Sequence, residues 1–378
     1  MQSLKVIYRL SARLVLTSLF LLPLLAGFAG PAAAAEDTPG FLYTLTNASS
    51  GNEVLVYSRS ADGSLSFQGA FATGGLGSGA GLGSQGSVVL SRGNQWLFAV
   101  NAGSNQVSVF AVGPDGLKLV DIVDSGGVLP VSLANYQDRL YVLNAGGSGN
   151  ITGFEIAPDG HLSPVAGSTQ PLSNGGVGAA PGVAEIAFTP DGSTLIVTEK
   201  TTNLIDTYRV EDGLASNPIT HPSAGITPFG FAIDRQGHLV VSEAFGSQPG
   251  SSALSSYAVD ENTFEVISPS VGTTQTAACW VVISKNGNFA YTTNAGSGSI
   301  SSYLLGPDGS LTLLNATAGS TGAGSSPIDM AFSGNGAYLY ALGSGTHTLS
   351  IFQMQADGGL GSIGSLSVPA GVVGLAAR

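Results

Sequence analysis

Four carboxylates stand out by position. Glu199 and Glu243 close two of seven copies of a short phrase: an apolar pair, usually aromatic at its second place, then two residues, then a polar one. Three other copies carry Asn101, Asn144 and Asn294 in the same slot. Glu185 and Asp329 interrupt apolar runs that precede two copies, and Ser87 and Trp280 hold the equivalent place ahead of two others. Gly230 and Pro130 fill two more. Carboxyls can act as general acid and base when their surroundings push their proton affinities apart. Glu, Asp and Asn oxygens are also what Ca²⁺ takes, about six to eight of them. The catalytic candidates are therefore Glu185, Glu199, Glu243 and Asp329, and the same four are the candidate Ca²⁺ ligands. Asn101, Asn144, Asn294, Trp280 and Lys200 are the candidates for substrate binding.

Plainer roles stand beside these. Each Asn precedes Ala-Gly, which suits a turn. Glu199 and Glu243 also read as rim charges or structural hydrogen-bond acceptors. Lys200 follows Glu199 and can neutralise a nearby acid, although on a continuing strand it points the other way. Trp280 and Cys279 also read as packing. The four histidines, at 161, 221, 238 and 347, do not form a Ser-His-Asp set.

What could hold these residues is a repeat. The phrases begin at residues 42, 97, 140, 195, 239, 290 and 339. Such spacing, 43 to 55 residues, is that of one four-stranded propeller blade. After each phrase come a Gly/Ser/Asn turn, a second β-type run, and an acidic turn. That turn is Asp-Gly at 62, 115, 159, 212, 308 and 357, with Asp260-Glu261-Asn262 in the remaining copy. Asp-Gly between apolar runs is a hairpin signal. Each repeat reads as strands A-B-C-D with the phrase as B. The first copy opens directly on a B strand, and residues 371–377 read as an A strand without a B. The expected fold is an all-β, single seven-bladed β-propeller of four-stranded antiparallel blades, closed by pairing of the C-terminal strand with the N-terminal one. That pairing removes an exposed sheet edge.

Composition agrees with one large β domain. Of 378 residues, 43% are hydrophobic, enough for an extensive core. Gly is abundant, at 55 residues, without a collagen period. A single Cys excludes an intramolecular disulfide framework. The net charge of −12 argues against nucleic acid as a partner. Residues 1–35 read as a cleavable signal peptide: basic Lys5, Arg9 and Arg13, an apolar run from Leu14 to Phe28, then Ala33-Ala34-Ala35. Residues 36–378 are then the propeller domain. The expectation is a secreted or periplasmic protein with no stable membrane span after cleavage.

The phrases Leu-Phe-Ala-Val-Asn-Ala-Gly-Ser (97–104) and Tyr-Thr-Thr-Asn-Ala-Gly-Ser (291–297) resemble YVTN-type repeats. With Pro-Asp-Gly at 114–116, 158–160, 190–192 and 307–309, residues 41–378 resemble the seven-bladed lactonase-like propellers. That group includes 6-phosphogluconolactonase-type and carboxymuconate-cyclising members. The resemblance implies a ligand at the central funnel, on the face carrying the D–A and B–C loops. It implies hydrolysis of a cyclic ester, with a lactone or sugar-derived small molecule as ligand. A metal ion there would polarise the carbonyl while a carboxylate activates water; without one, a raised-pKa acid beside an ionised one does similar work. The alternative is a non-catalytic propeller that binds a cell-envelope or extracellular partner. Two departures matter. The approach to the fourth inner strand, 179–185, lacks the His associated with the phosphogluconolactonase type, and no His–Arg pair can be placed for the carboxymuconate type. The long stretches 73–86 and 168–181 read as D–A loops, the first mobile and Gly-rich, and 244–253 as a B–C loop.

Overall fold

The structure, a computed structural model, describes residues 40–378. The expected signal segment, 1–35, lies outside the described residues. Seven antiparallel sheets form a ring, each with its A strand innermost and its D strand outermost. The inner strands of blades 1 to 7 are Val373–Ala377, Val88–Leu90, Pro130–Tyr136, Val183–Phe188, Pro228–Ile233, Ala278–Ile283 and Pro327–Phe332. The B strands behind them are Gly40–Leu45, Trp96–Asn101, Arg139–Asn144, Thr194–Glu199, His238–Glu243, Phe289–Asn294 and Tyr338–Gly343. The last strand of the chain thus completes the first sheet, with Leu42 opposite Ala377 and Leu45 opposite Val373. No helix among the described residues is long and apolar enough to cross a membrane.

The repeated phrase is explained by the blade junctions. The B strands lie between two sheet neighbours and two blades, so nearly every B residue is buried and apolar side chains occupy both faces of the strand. A tyrosine at the second place reaches the acidic turn of the next blade. Tyr141 donates to the carbonyl of Gly213, Tyr291 to Gly358 and Tyr340 to Gly63, at 3.0, 3.1 and 3.2 Å. Glycine in that turn is required twice over. Gly63 has φ 82°, and a Cβ there would sit 2.4 Å from the Tyr338 ring of blade 7. Gly358 has φ 82° and abuts the Phe289 ring of blade 6 in the same way.

Candidate functional site

The site begins with an irregularity in the inner strands. Pairing between the A and B strands of blades 3, 4, 5, 6 and 7 skips one residue near the start of A. Such a bulge turns one side chain out of the ladder and leaves a backbone N–H without its usual partner. The turned-out residues are Ser132, Glu185, Gly230, Trp280 and Asp329. The third blade therefore contributes Ser132 rather than the Pro130 expected from the sequence, because Pro130 pairs with Asn144 and Ser132 with Leu143.

These residues serve the next blade's free N–H. Ser132 Oγ accepts from Ile186 N (3.2 Å), Glu185 Oε2 from Phe231 N (2.6 Å), and Asp329 Oδ2 from Leu375 N (3.1 Å). Asp329 Oδ1 also takes Met330 N at 2.8 Å, in a blade whose predecessor offers only Trp280. Blade 5 offers Gly230, which has no side chain. Its place is taken by Gln85, reaching across the ring from the loop before blade 2. Gln85 Oε1 accepts from Val281 N (3.2 Å) and its Nε2 donates to Val281 O (2.9 Å). A Cβ on Gly230 would lie 2.5 Å from that Oε1.

Glu185 and Asp329 are both buried and line one cavity of about 620 Å³. Burial raises the Glu185 pKa well above the usual carboxylate range; the Phe231 N–H opposes this, and the nearby charge of Asp329 adds to it. Burial pushes Asp329 up to about 8 against the N–H groups of Met330 and Leu375. The cavity reaches past Asn135, Tyr136 and Phe188 to Arg92 and Pro190, so it extends to the A–B turns. A further lobe of about 400 Å³ runs past Gln85 and Phe231 to Lys285.

The opposite face, where a ligand was expected to enter, is stoppered. The loop read as mobile is instead pinned along 83–86. Lys200 Nζ donates to the carbonyls of Gly83 (2.6 Å) and Val183 (2.8 Å). Trp280 Nε1 donates to Ser84 O (3.0 Å), Ser84 Oγ to Val131 O (2.8 Å), and Gln85 N to Ala184 O (3.1 Å). Lys200 lies 4.6 Å from the centre of the Phe229 ring, and burial lowers its pKa to about 8. Burial pushes the Cys279 thiol up to about 12, with Lys200 opposing. A cavity of about 260 Å³ remains beside the stopper, between Trp280 and Val373.

Glu199 and Glu243 do not line the axial cavities. Both are fully buried at the ends of their B strands, inside the blades. Glu199 accepts from Ser173 N (3.1 Å), Ser173 Oγ (2.5 Å) and Thr202 Oγ1 (2.6 Å). Glu243 accepts from Ser255 Oγ and from Ser270 Oγ, the latter at 2.7 Å. The three Asn make the same kind of bracket. Asn101 accepts from Thr73 Oγ1 (2.6 Å) and donates to Ser108 Oγ (2.7 Å); Asn144 donates to Ser125 O (3.2 Å); Asn294 donates to Ser301 Oγ (2.9 Å). The structure thus brings Glu185 and Asp329 together and sets Glu199 and Glu243 apart from them. Among the described residues no three His, Cys, Asp or Glu side chains converge, so the four-carboxylate Ca²⁺ site has no geometric basis.

Sequence reasoning missed Gln85, Ser132 and Asp206. Asp206 occupies the C-strand place that Ser108, Ser255 and Ser301 hold in other blades, opposite the residue two before the bracket. It is fully buried, and burial together with the Glu199 charge raises its pKa to about 8. Aligning the C strands would have exposed it. Nothing in the spacing marks Gln85.

The family model for the seven-bladed β-propeller lactonases matches residues 148–266 and 244–368. No curated protein matches the chain. Among solved structures, a Bacteroides fragilis protein assigned as a 6-phosphogluconolactonase is similar, with TM-score 0.70 and 18% identity, covering 92% of this chain and 100% of that one. A Pseudomonas aeruginosa periplasmic gluconolactonase has TM-score 0.67 and 19% identity, covering 90% and 99%. A Lactobacillus plantarum protein has TM-score 0.72 and 18% identity, covering 90% and 99%. At these identities the structural likeness speaks for the fold alone. The repeats, the closed ring and the family match together make the chain a member of the lactonase family of seven-bladed β-propellers.

Proposed function

We propose that the protein hydrolyses a cyclic ester in its axial channel, with Glu185 and Asp329 as the acid–base pair and entry from the A–B face. The observation that carries this is the pair itself: two buried carboxyls, from blades 4 and 7, in one solvent-reachable cavity, with the charge of one raising the other. Ionising either makes the second harder to ionise, so as pH rises through about 8, where Asp329 gives up its proton, one carboxylate and one carboxylic acid coexist. The carboxylate takes a proton from water as the water oxygen attacks the lactone carbonyl. The carboxylic acid then gives its proton to the ring oxygen as the acyl C–O bond breaks. The product is a hydroxy acid, and the pair exchanges protons to reset. The basic and apolar residues within 1–35 support export, to the periplasm or outside the cell, as the setting for this activity.

A lactone panel followed by base uptake tests the reading. Wild type should turn over at least one lactone, with a rate that climbs as the pair loses its first proton. Glu185→Gln and Asp329→Asn should each lower kcat by about 10²-fold or more. Hydrolysis unchanged in both variants excludes the pair. No hydrolysis across the panel excludes the activity and leaves an envelope-partner binder as the better account.

A further inference from the structure

We infer that the channel continues into a sugar-binding groove between blades 3 and 4, so that the favoured substrate is an uncharged lactone carrying a second sugar ring. This rests on the lactonase reading for the reacting ring, but the groove is a separate feature. A cavity of about 590 Å³ on the A–B side is lined by Gln137, Asp138, Arg139, Asp191, Ser193 and Asp212. It shares two walls with the axial cavity, Tyr136 and Phe188, whose ring centres are 5.6 Å apart. The two rings pack against each other as a shared wall, and both cavities reach the A–B turns, so a ligand passes from one to the other over the rim of that wall.

The chemistry of the lining points to a polyol. Apolar C–H faces of a sugar suit aromatic walls, and its paired hydroxyls suit carboxylates, amides and a guanidinium. Arg139 Nε is buried with no hydrogen-bond partner, while its Nη1 meets Asp138 Oδ2 at 2.9 Å. Blade 4 supplies glycines beneath both groups. A Cβ on Gly192 would lie 2.2 Å from the Tyr136 ring, and one on Gly213 would lie 2.2 Å from Arg139 Nε. Those glycines let the ring and the guanidinium lie close against the blade 4 turns. Three aspartates face one arginine, so the groove disfavours phosphate or carboxylate substituents and favours neutral hydroxyls.

The test compares glucono-1,5-lactone with the 1,5-lactones of maltobionic, cellobionic and lactobionic acids, alongside calorimetric titration with maltose, cellobiose and lactose. At least one two-ring lactone should exceed the one-ring lactone in kcat/KM by about tenfold. Ser193→Tyr, which fills the groove, and Arg139→Gln should each collapse that ratio, mainly through KM. One-ring and two-ring lactones hydrolysed alike, with the ratio unmoved in both variants, would overturn the groove and leave the hydrolase standing. Disaccharide binding without any hydrolysis, lost in Ser193→Tyr, would keep the groove and overturn the hydrolase. Neither binding nor hydrolysis would overturn both.

Discussion

At the scale of the residue, the telling comparison is between brackets. In blades 2 and 6 an Asn amide donates to a Ser hydroxyl; in blade 5 a Ser hydroxyl donates to Glu243. In blade 4 both places hold acids, Glu199 and Asp206, and Asp206 meets the Glu199 carboxyl as well as the Ser173 N–H and the Tyr208 hydroxyl. Two acids side by side favour a proton on Asp206, through which Asp206 can donate to Glu199. Its pKa is raised from 3.8 to about 8, by burial first and the Glu199 charge second. The folded state therefore holds a proton that the unfolded chain releases at lower pH. The resulting stability is complete below about pH 4 and lost as pH rises through about 8, at roughly 1.4 kcal/mol for each pH unit between those limits. Urea unfolding across pH 5 to 9 should show this decline. Asp206→Asn, whose amide donates without titrating, should flatten part of it, while Glu185, Asp329 and Glu243, whose proton affinities burial also raises, keep the remainder. An unchanged slope in that variant would show that the proton is not held there.

At the scale of the element, the inner strand matters most. Its bulge explains why acids sit among apolar residues: each accepts the N–H that the next bulge frees. Where the side chain is absent, at Gly230, Gln85 substitutes for it. This makes Gly230 and Gln85 one unit. Gln85→Ala should cost about 1–3 kcal/mol by leaving the buried Val281 groups unpaired. Gly230→Ser should cost a similar amount by crowding Gln85. In the double variant the serine hydroxyl can serve Val281 as Ser132 serves Ile186, so the combined loss should fall short of the sum. Thermal unfolding of the four proteins decides it, and strict additivity would refute the substitution. The strands themselves were legible in sequence, because phrase and Asp-Gly turn repeat with the blade. The site was only half legible. Repetition places Glu185 and Asp329 on equivalent strands, but it gave Glu199 and Glu243 equal standing. Only the turn of the B strand, into the blade rather than the channel, separates them. Gln85 was hidden because its partner is 196 residues away and its loop belongs to no repeat.

At the scale of the whole molecule, closure decides what the channel is. Residues 371–377 read from sequence as an orphan A strand, and that strand supplies Leu375 N to Asp329 and the wall beside it. A solenoid would leave its end repeats less constrained than its middle, since each repeat depends only on its neighbours. A closed ring has no end repeats. The hydroxyl of Tyr340 spans the junction between blade 7 and blade 1, and that of Tyr291 the junction between blades 6 and 7; both are buried. If the first and last strands lock the ring as firmly as any internal junction does, Tyr340→Phe and Tyr291→Phe should destabilise equally, by about 1 kcal/mol each. A cost at Tyr291 with none at Tyr340 would mean that the junction opens before the rest unfolds. The wall of the cavity formed by Leu375, Ala376 and Ala377 would then open with it, and the carboxyl pair would lose the enclosure that holds its protons.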